Sequence, residues 1–302
     1  MGKIMILFKD PYRFLRGIYH RCAFLIPNDK LYLALNYYWS FHRFPNMKSP
    51  QTYNEKLQWL KLNYKNPKLG KLVDKNLVKE YVANKIGHEH IIPTLGIYKR
   101  PEDIQWDLLP DQFVLKTTHG GGNEGVVICK DKNTINKKEV LKKLNKSLRQ
   151  DLYVTSREWP YKYVEKKIIA EKYIEDKYGE LRDYKFFCFN GEVRALFVAT
   201  ERQKREEPFF NFFDAEYNPL PIKQGHPVNP NLPEKPYMFK EMKRIASALS
   251  EGFPHVRVDL YEVHDTVYFG ELTFFHFGGV VPFEPSEWDE RFGDWLSLPT
   301  SY

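Results

Sequence analysis

The sequence predicts an α+β fold preceded by a helical N-terminal region, and three features carry that prediction. The first 66 residues mix basic, aromatic and apolar residues in stretches that read as helices. Beyond Pro110 the apolar residues come instead in short runs, FVLKT, VVICK, VRVDLYEV and VYFGELTF. Helical spacing returns only in Asn136 to Gln150 and Phe239 to Ser250. With 302 residues, 42% hydrophobic and 28% charged, the chain has enough material for one large domain or two lobes around a real core, and wholesale disorder is excluded.

In chain order, YRFLRGIYHRCAFLI and LYLALNYYWSFHRF are separated by the Pro27-Asn28-Asp29 turn and closed by the Pro45 to Pro50 stretch. Their aromatics do not share one helical stripe, so a cap (1–66) packed on the main body is expected ahead of a membrane-bound amphipathic layer. Thr52 with Glu55 three residues later signals a helix start, and the segment runs through Leu62. Asp74 opens another helix that ends near Gly87. Pro93 to Pro110 is rich in turn signals, and FVLKT and VVICK then read as two strands joined by a glycine cluster. In Asn136 to Gln150, Val140, Leu141, Leu144 and Leu148 hold helical spacing, so the lysines form a solvated face and not a nucleic-acid patch. Strands follow at Lys167 to Tyr173, Tyr184 to Phe189 and Val193 to Thr200. A Pro-rich connection from Pro219 to Pro236 leads to the helix Phe239 to Ser250 and the last two strands.

Lys and Arg number 46 against 39 Asp and Glu, a net +7 that favours anionic partners: nucleotides, acidic sugars, nucleic acids or anionic lipid. Cys22, Cys129 and Cys188 are far apart and form no CxxC pair, which excludes a disulfide framework and a cysteine zinc site and fits a reducing cytosol. No apolar run approaches the roughly 18 residues that span a bilayer. Ile4 to Phe8 is too short for a signal-peptide core, and Ile6 stands where a myristoylation signal needs Ser or Thr. A protein neither exported nor membrane-spanning is expected.

The strongest local signal is FVLKTTHGGGNEGVV, Phe113 to Val127, where Lys116 ends a buried strand and glycines follow. Glycines let backbone N–H groups approach an anion, and the lysine adds fixed positive charge, so the unit suits phosphate. It is not a Walker loop, because Val126 stands where that motif needs lysine. HGGG also resembles an esterase oxyanion segment, but the chain has no GxSxG elbow. Asp259 and Glu271 align across a hairpin turning near His264 to Thr266. Two carboxylates facing each other on one sheet repel unless a hard cation such as magnesium joins them; a register slip of one residue would instead leave an acid in solvent. Together the basic loop and acidic hairpin suit a magnesium nucleotide. Ile168 to Asp176, IIAEKYIED, is an apolar strand running into an acidic turn that could offer backbone to an adenine edge and a carboxylate to a ribose. Lys185, Arg202 and Lys75 could lie near phosphates, or simply be solvated or ion-paired.

The order Asp74-Lys75, FVLKTTHGGGNEG, IIAEKYIED, DYKFFCFNG, VRVDLYEV, FGELTF resembles the ATP-grasp superfamily, most closely its TupA-like members associated with teichuronopeptide and cell-surface polysaccharide (capsule) synthesis. The similarity covers about residues 50–298. It implies ATP held between two α+β subdomains, an N-lobe or lid at 67–172 and a C-lobe with the metal site at 173–302. By the same resemblance Lys75 and Lys116 contact phosphates under the loop Gly120, Gly121 and Gly122. Glu171, the backbone of Lys172 and Ile174 meet adenine, and Glu175 or Asp176 binds ribose. Lys185 and Arg202 serve the phosphates or acyl phosphate, and Asp259 and Glu271 hold Mg2+. Thr273 stands at the third metal position where many relatives have asparagine, and FHFGG, Phe275 to Gly279, departs from the usual Pro/Gly-rich turn.

The activity implied is an ADP-forming carboxylate–amine ligase that joins an amino acid or amine to an acidic glycan or uronic-acid-containing precursor. A glycan phosphotransferase and a non-catalytic ATP-binding accessory of polysaccharide-assembly enzymes at the membrane are the alternatives. A cytoplasmic location, including the inner membrane face, and no nucleic-acid partner are expected. No general base stands out, with His119 and His276 the nearest candidates.

Overall fold

The structure is a computed structural model that describes residues 17, 19–122, 124–202, 205 and 207–300. Gly2 and Ile4 to Phe8 lie outside the described residues. Helix α1 (Asp29–Phe41) starts where the Asn28 side chain accepts a hydrogen bond from Leu31 N, and α2 (Tyr53–Asn63) starts at a complete capping box of Thr52 and Glu55. Short α3 (Leu69–Leu72) and α4 (Val78–Ile86) follow, separated by a turn in which the Asp74 carboxylate accepts from Asn76 N and Leu77 N. The helix expected from Asp74 therefore begins one turn later.

Four strands make the first sheet: β1 (Thr94–Tyr98), β2 (Phe113–Thr117), β3 (Val126–Cys129) and, after helices α5 (Lys137–Leu148) and α6 (Leu152–Ser156), β4 (Ile168–Lys172). Their order is β1-β4-β2-β3, all antiparallel neighbours. The second sheet contains β5 (Asp183–Phe189), β6 (Glu192–Thr200), β7 (Phe209–Asp214), β8 (Pro219–Leu220) and, beyond α7 (Phe239–Ser250), β9 (Val256–Val263) and β10 (Thr266–Thr273), in the order β10-β9-β5-β6-β7-β8. Helix α8 (Glu287–Trp295) closes the fold against α2, where Gly293 is needed because a Cβ would lie 2.2 Å from the Gln51 carbonyl oxygen.

Strand alternation sorts the large sheet into two unlike faces. Tyr184, Phe186 and Cys188 of β5 pair with Leu260, Val258 and Val256 of β9, and this face packs under α7 through Phe239, Met242, Ile245 and Leu249. The intervening residues Asp183, Lys185, Arg257 and Asp259 point the other way, beside an aromatic half built from Phe187, Phe197, Phe212 and Phe292 with Tyr53 of α2. Apolar packing crosses the boundary expected at 66/67: Leu57, Leu69, Val78 and Val82 all belong to the large core. The smaller core, Phe113, Leu115, Val140, Leu144, Ile168 and Ala170 among others, holds α5 to the first sheet. No helix among the described residues is long and apolar enough to cross a membrane.

Candidate active site

The charged half of the large sheet is one connected network. Asp259 is fully buried; its two carboxylate oxygens accept from Arg257 Nε and Nη2, both at 2.7 Å, and one also accepts from Lys185. Lys185 Nζ lies 2.6 Å from Asp183 Oδ2, which also meets Arg202 Nη1 at 2.9 Å. Arg257 Nη2 reaches Thr273 Oγ1 at 3.0 Å and Glu271 Oε1 at 3.3 Å. Burial pushes the Asp259 carboxyl up to about 6 despite Arg257 and Lys185. Burial also opposes charge on Glu271, but Lys75, Lys185 and Arg257 overcome it and hold that carboxyl at about 2.

Asp259 and Glu271 do face each other, by a route other than the expected longer turn. The hairpin turns tightly, pairing Val263 with Thr266, which alone would set Asp259 opposite Gly270. A bulge between Phe269 and Glu271 adds the residue that brings Glu271 into place. Space there is tight, since a Cβ on Gly270 would lie 3.0 Å from both the Asp259 carbonyl oxygen and the Tyr261 ring.

The turn before α4 ties the glycine loop of the first sheet to this charged face through Lys75. The Lys75 ammonium donates to the Gly120 carbonyl and lies 3.7 Å from Glu271 Oε2, so one side chain spans the glycine loop and the acidic hairpin. Gly120 itself has no room for a Cβ, which would sit 2.4 Å from Thr117 Oγ1; Gly121 has open space, and Gly122 adopts φ +62. Lys116 lies 2.7 Å from the buried Glu171 carboxylate, which Lys79 meets at 2.6 Å from α4. Glu171 is thus committed to two lysines, while Lys172 is exposed, with its backbone N–H donating to the Pro93 carbonyl at 3.0 Å, and Ile174 is half-buried. Glu175 accepts from Tyr173 Oη at 2.6 Å and is exposed, whereas Asp176 organises its own loop by accepting from Tyr178 N, Glu180 N and Arg182 N.

Among the three residues expected to hold magnesium, the donors fit the ion unequally. Glu271 keeps 33% of its side chain exposed and offers hard oxygens at the cleft edge, which fits. Asp259 is enclosed by cations, and Thr273 accepts from Arg257; no group of three or more His, Cys, Asp or Glu able to hold a metal occurs among the described residues. The two histidines expected near the chemistry are both buried. His276 Nδ1 must accept from Arg257 Nη1 at 2.6 Å, because a guanidinium only donates, so Nε2 carries the proton to Gln224 Oε1 at 2.9 Å. Burial next to Arg257 pushes its pKa well below the usual histidine value. His119 is pushed down to about 4 by burial and Lys166.

Sequence reasoning passed over Arg257, Asp183, Lys79 and Gln224. The signal for the first two was present: each lies two residues before a selected one, Asp259 and Lys185, and therefore on the same strand face. Lys79 and Gln224 arrive from distant segments and had no local signal.

No curated protein matches the chain in sequence. Solved structures that it resembles include a D-alanine–D-alanine ligase from Bacillus anthracis, at 17% identity and TM-score 0.41 over 68% of this chain and 57% of that one. A Helicobacter pylori D-alanine–D-alanine ligase matches at 15% identity and TM-score 0.40 over 76% and 61% of the two chains. The ATP-grasp ligase PsnB with its minimal precursor matches at 10% identity and TM-score 0.39 over 73% and 60%. The chain spans less than two thirds of the length of these structures. The profile of the TupA-like ATPgrasp family matches residues 55–297, from the first turn of α2 to beyond the end of α8, and the chain belongs to that family.

Proposed function

We propose that the chain is an ATP-dependent carboxylate–amine ligase that acts through an acyl phosphate and joins an amino acid or amine to an acidic surface glycan or its uronic-acid-containing precursor. One observation carries the reading: Lys75 joins the glycine loop to Glu271, so a phosphate cradle and a hard carboxylate share one cleft. Magnesium at Glu271 would neutralise phosphate charge. Lys75, Lys116, Lys185 and Arg202 supply the remaining positive field, with Arg202 and Glu271 reaching solvent at the cleft while Asp183 and Asp259 hold the cations from beneath.

In the reaction a substrate carboxylate oxygen attacks the γ-phosphorus and ADP leaves. The amine nitrogen then bonds to the acyl carbon, inorganic phosphate departs and the amine gives up a proton. No protein nucleophile takes part. His276 is not free to act as the base, since its Nδ1 is occupied by Arg257 and its Nε2 by Gln224, whereas His119 Nε2 faces the Ser147 carbonyl at 3.2 Å and its buried Nδ1 has no hydrogen-bond partner. The test is incubation of purified protein with Mg-ATP, uronic acids and amino acids. ADP with an amide product supports ligation, whereas ADP with a stable phosphoester, or binding without turnover, overturns it.

A further inference from the structure

Among the described residues, the cap ahead of the family match carries the largest group of exposed apolar side chains near one another in sequence. Phe24 is 68% exposed, Leu25 65%, Leu31 52%, Tyr38 39% and Phe44 60%. Leu31 and Tyr38 are seven residues apart on α1 and so share a helix face, and the Tyr38 ring stacks on Phe44 with centroids 4.9 Å apart. Phe24 and Leu25 end the turn before α1, which is anchored below by Ala23, Tyr32 and Leu33 and by Arg157 donating to the Ala23 and Ile26 carbonyls. Their exposure is therefore not slack in the fold: the inward side is packed while the outward side is left apolar.

Charge says what such a surface would meet. Residues 1–44 contain seven Lys and Arg against two Asp, a net +5 of the chain's +7 in about one seventh of its length. Among the described residues from 17 to 54 the one acid, Asp29, is engaged by Arg157 Nε at 3.1 Å and Tyr153 Oη at 3.0 Å, while Arg21 and Lys30 are exposed beside Phe24, Leu25 and Leu31. Apolar aromatic and leucine side chains flanked by cations, with no opposing acid, match a surface that offers hydrocarbon beneath a layer of negative charge.

We infer that the cap is a docking surface for anionic lipid, with Phe24, Leu25, Leu31, Tyr38 and Phe44 entering the headgroup region and Arg21 and Lys30 meeting lipid phosphates. The face lies outside the segment shared with the ligase family, so its role does not depend on the ligase reading.

The experiment is flotation of the full chain with vesicles of phosphatidylglycerol in phosphatidylcholine and with phosphatidylcholine alone. Wild type should float with the anionic vesicles at least tenfold better than with the neutral ones, and this preference should vanish at about 1 M salt, where screening acts within about 3 Å. Phe24→Ser/Leu25→Ser and Arg21→Glu/Lys30→Glu should each lower partitioning at least tenfold while leaving circular dichroism unchanged, because all four side chains are exposed. Equal binding to both vesicle types, no binding, or variants that float like wild type would overturn the inference. So would a concentration-dependent dimer in sedimentation that Phe24→Ser/Leu25→Ser dissolves, which would make the face a contact between copies of this chain.

Discussion

Replacing Arg257 with Met tests whether the charged face is a rigid, mutually dependent structure. The substitution keeps most of the side-chain volume but removes both 2.7 Å bonds to Asp259 and the bonds to His276, Thr273 and Glu271. Asp259 is fully buried and keeps only Lys185. Breaking a buried ion pair while leaving one charge behind costs about 3–5 kcal/mol. Because Lys185 remains, the lower end applies, about 3 kcal/mol, read as a fall in the urea midpoint at unchanged slope. Asp259→Leu added to Arg257→Met removes the stranded carboxylate, so the double variant should lose at least about 1.5 kcal/mol less than the sum of the singles. A loss below about 1 kcal/mol for Arg257→Met, or additive singles, would refute the reasoning.

Lys116→Ala should fold, since Glu171 retains Lys79 at 2.6 Å, yet bind ATP about tenfold or more weakly by calorimetry, a change of about 1.4 kcal/mol. Glu271→Gln should keep its fold and lose magnesium-dependent turnover; full activity would remove Glu271 from the metal site. Stability should fall with acid below about pH 6.5, because unfolding lets buried neutral histidines bind protons. His255 is held at about 3 and His119 at about 4, both by burial first, and His276 is also depressed, so each adds stability that is present above the unfolded value and lost as pH falls toward the folded one. Asp259, raised to about 6, works in the opposite direction as pH falls from there. His276→Gln, whose amide oxygen can still accept from Arg257, should flatten the profile between pH 6 and 5 by about 1.2 kcal/mol in denaturant titrations. An unchanged slope would contradict the neutral state assigned to His276.

Much of this fold could be read from local pattern because its strands alternate cleanly and its helices start at recognisable caps. Thr52 with Glu55, the turn ahead of α1, and α7 at Phe239–Ser250 all lie where the residues indicate. Strand β1 was concealed in a turn-rich stretch, since Thr94, Leu95 and Ile97 leave the pattern half-exposed at a sheet edge. Lys116, Lys185, Asp259 and Glu271 could be singled out because each lies on an alternating strand, whereas Lys75, in the turn before α4, was picked out by the resemblance. What was not legible was which charges neutralise which: Glu171 facing Lys79 and Lys116, and Asp259 enclosed by Arg257 and Lys185, depend on where α4 and β5 pack. The register of Asp259 with Glu271 rests on the bulge at Gly270, a detail of backbone geometry that spacing from the turn does not supply.

The most direct test of ligation through an acyl phosphate follows an oxygen atom. A uronic acid labelled with oxygen-18 in its carboxylate is incubated with the protein, Mg-ATP and an amine, and the released phosphate is analysed by mass spectrometry. One labelled oxygen in inorganic phosphate for each amide formed is the predicted result, because the attacking carboxylate oxygen leaves with phosphorus. Amide accompanied by unlabelled phosphate, or label retained in a phosphorylated sugar, would contradict it.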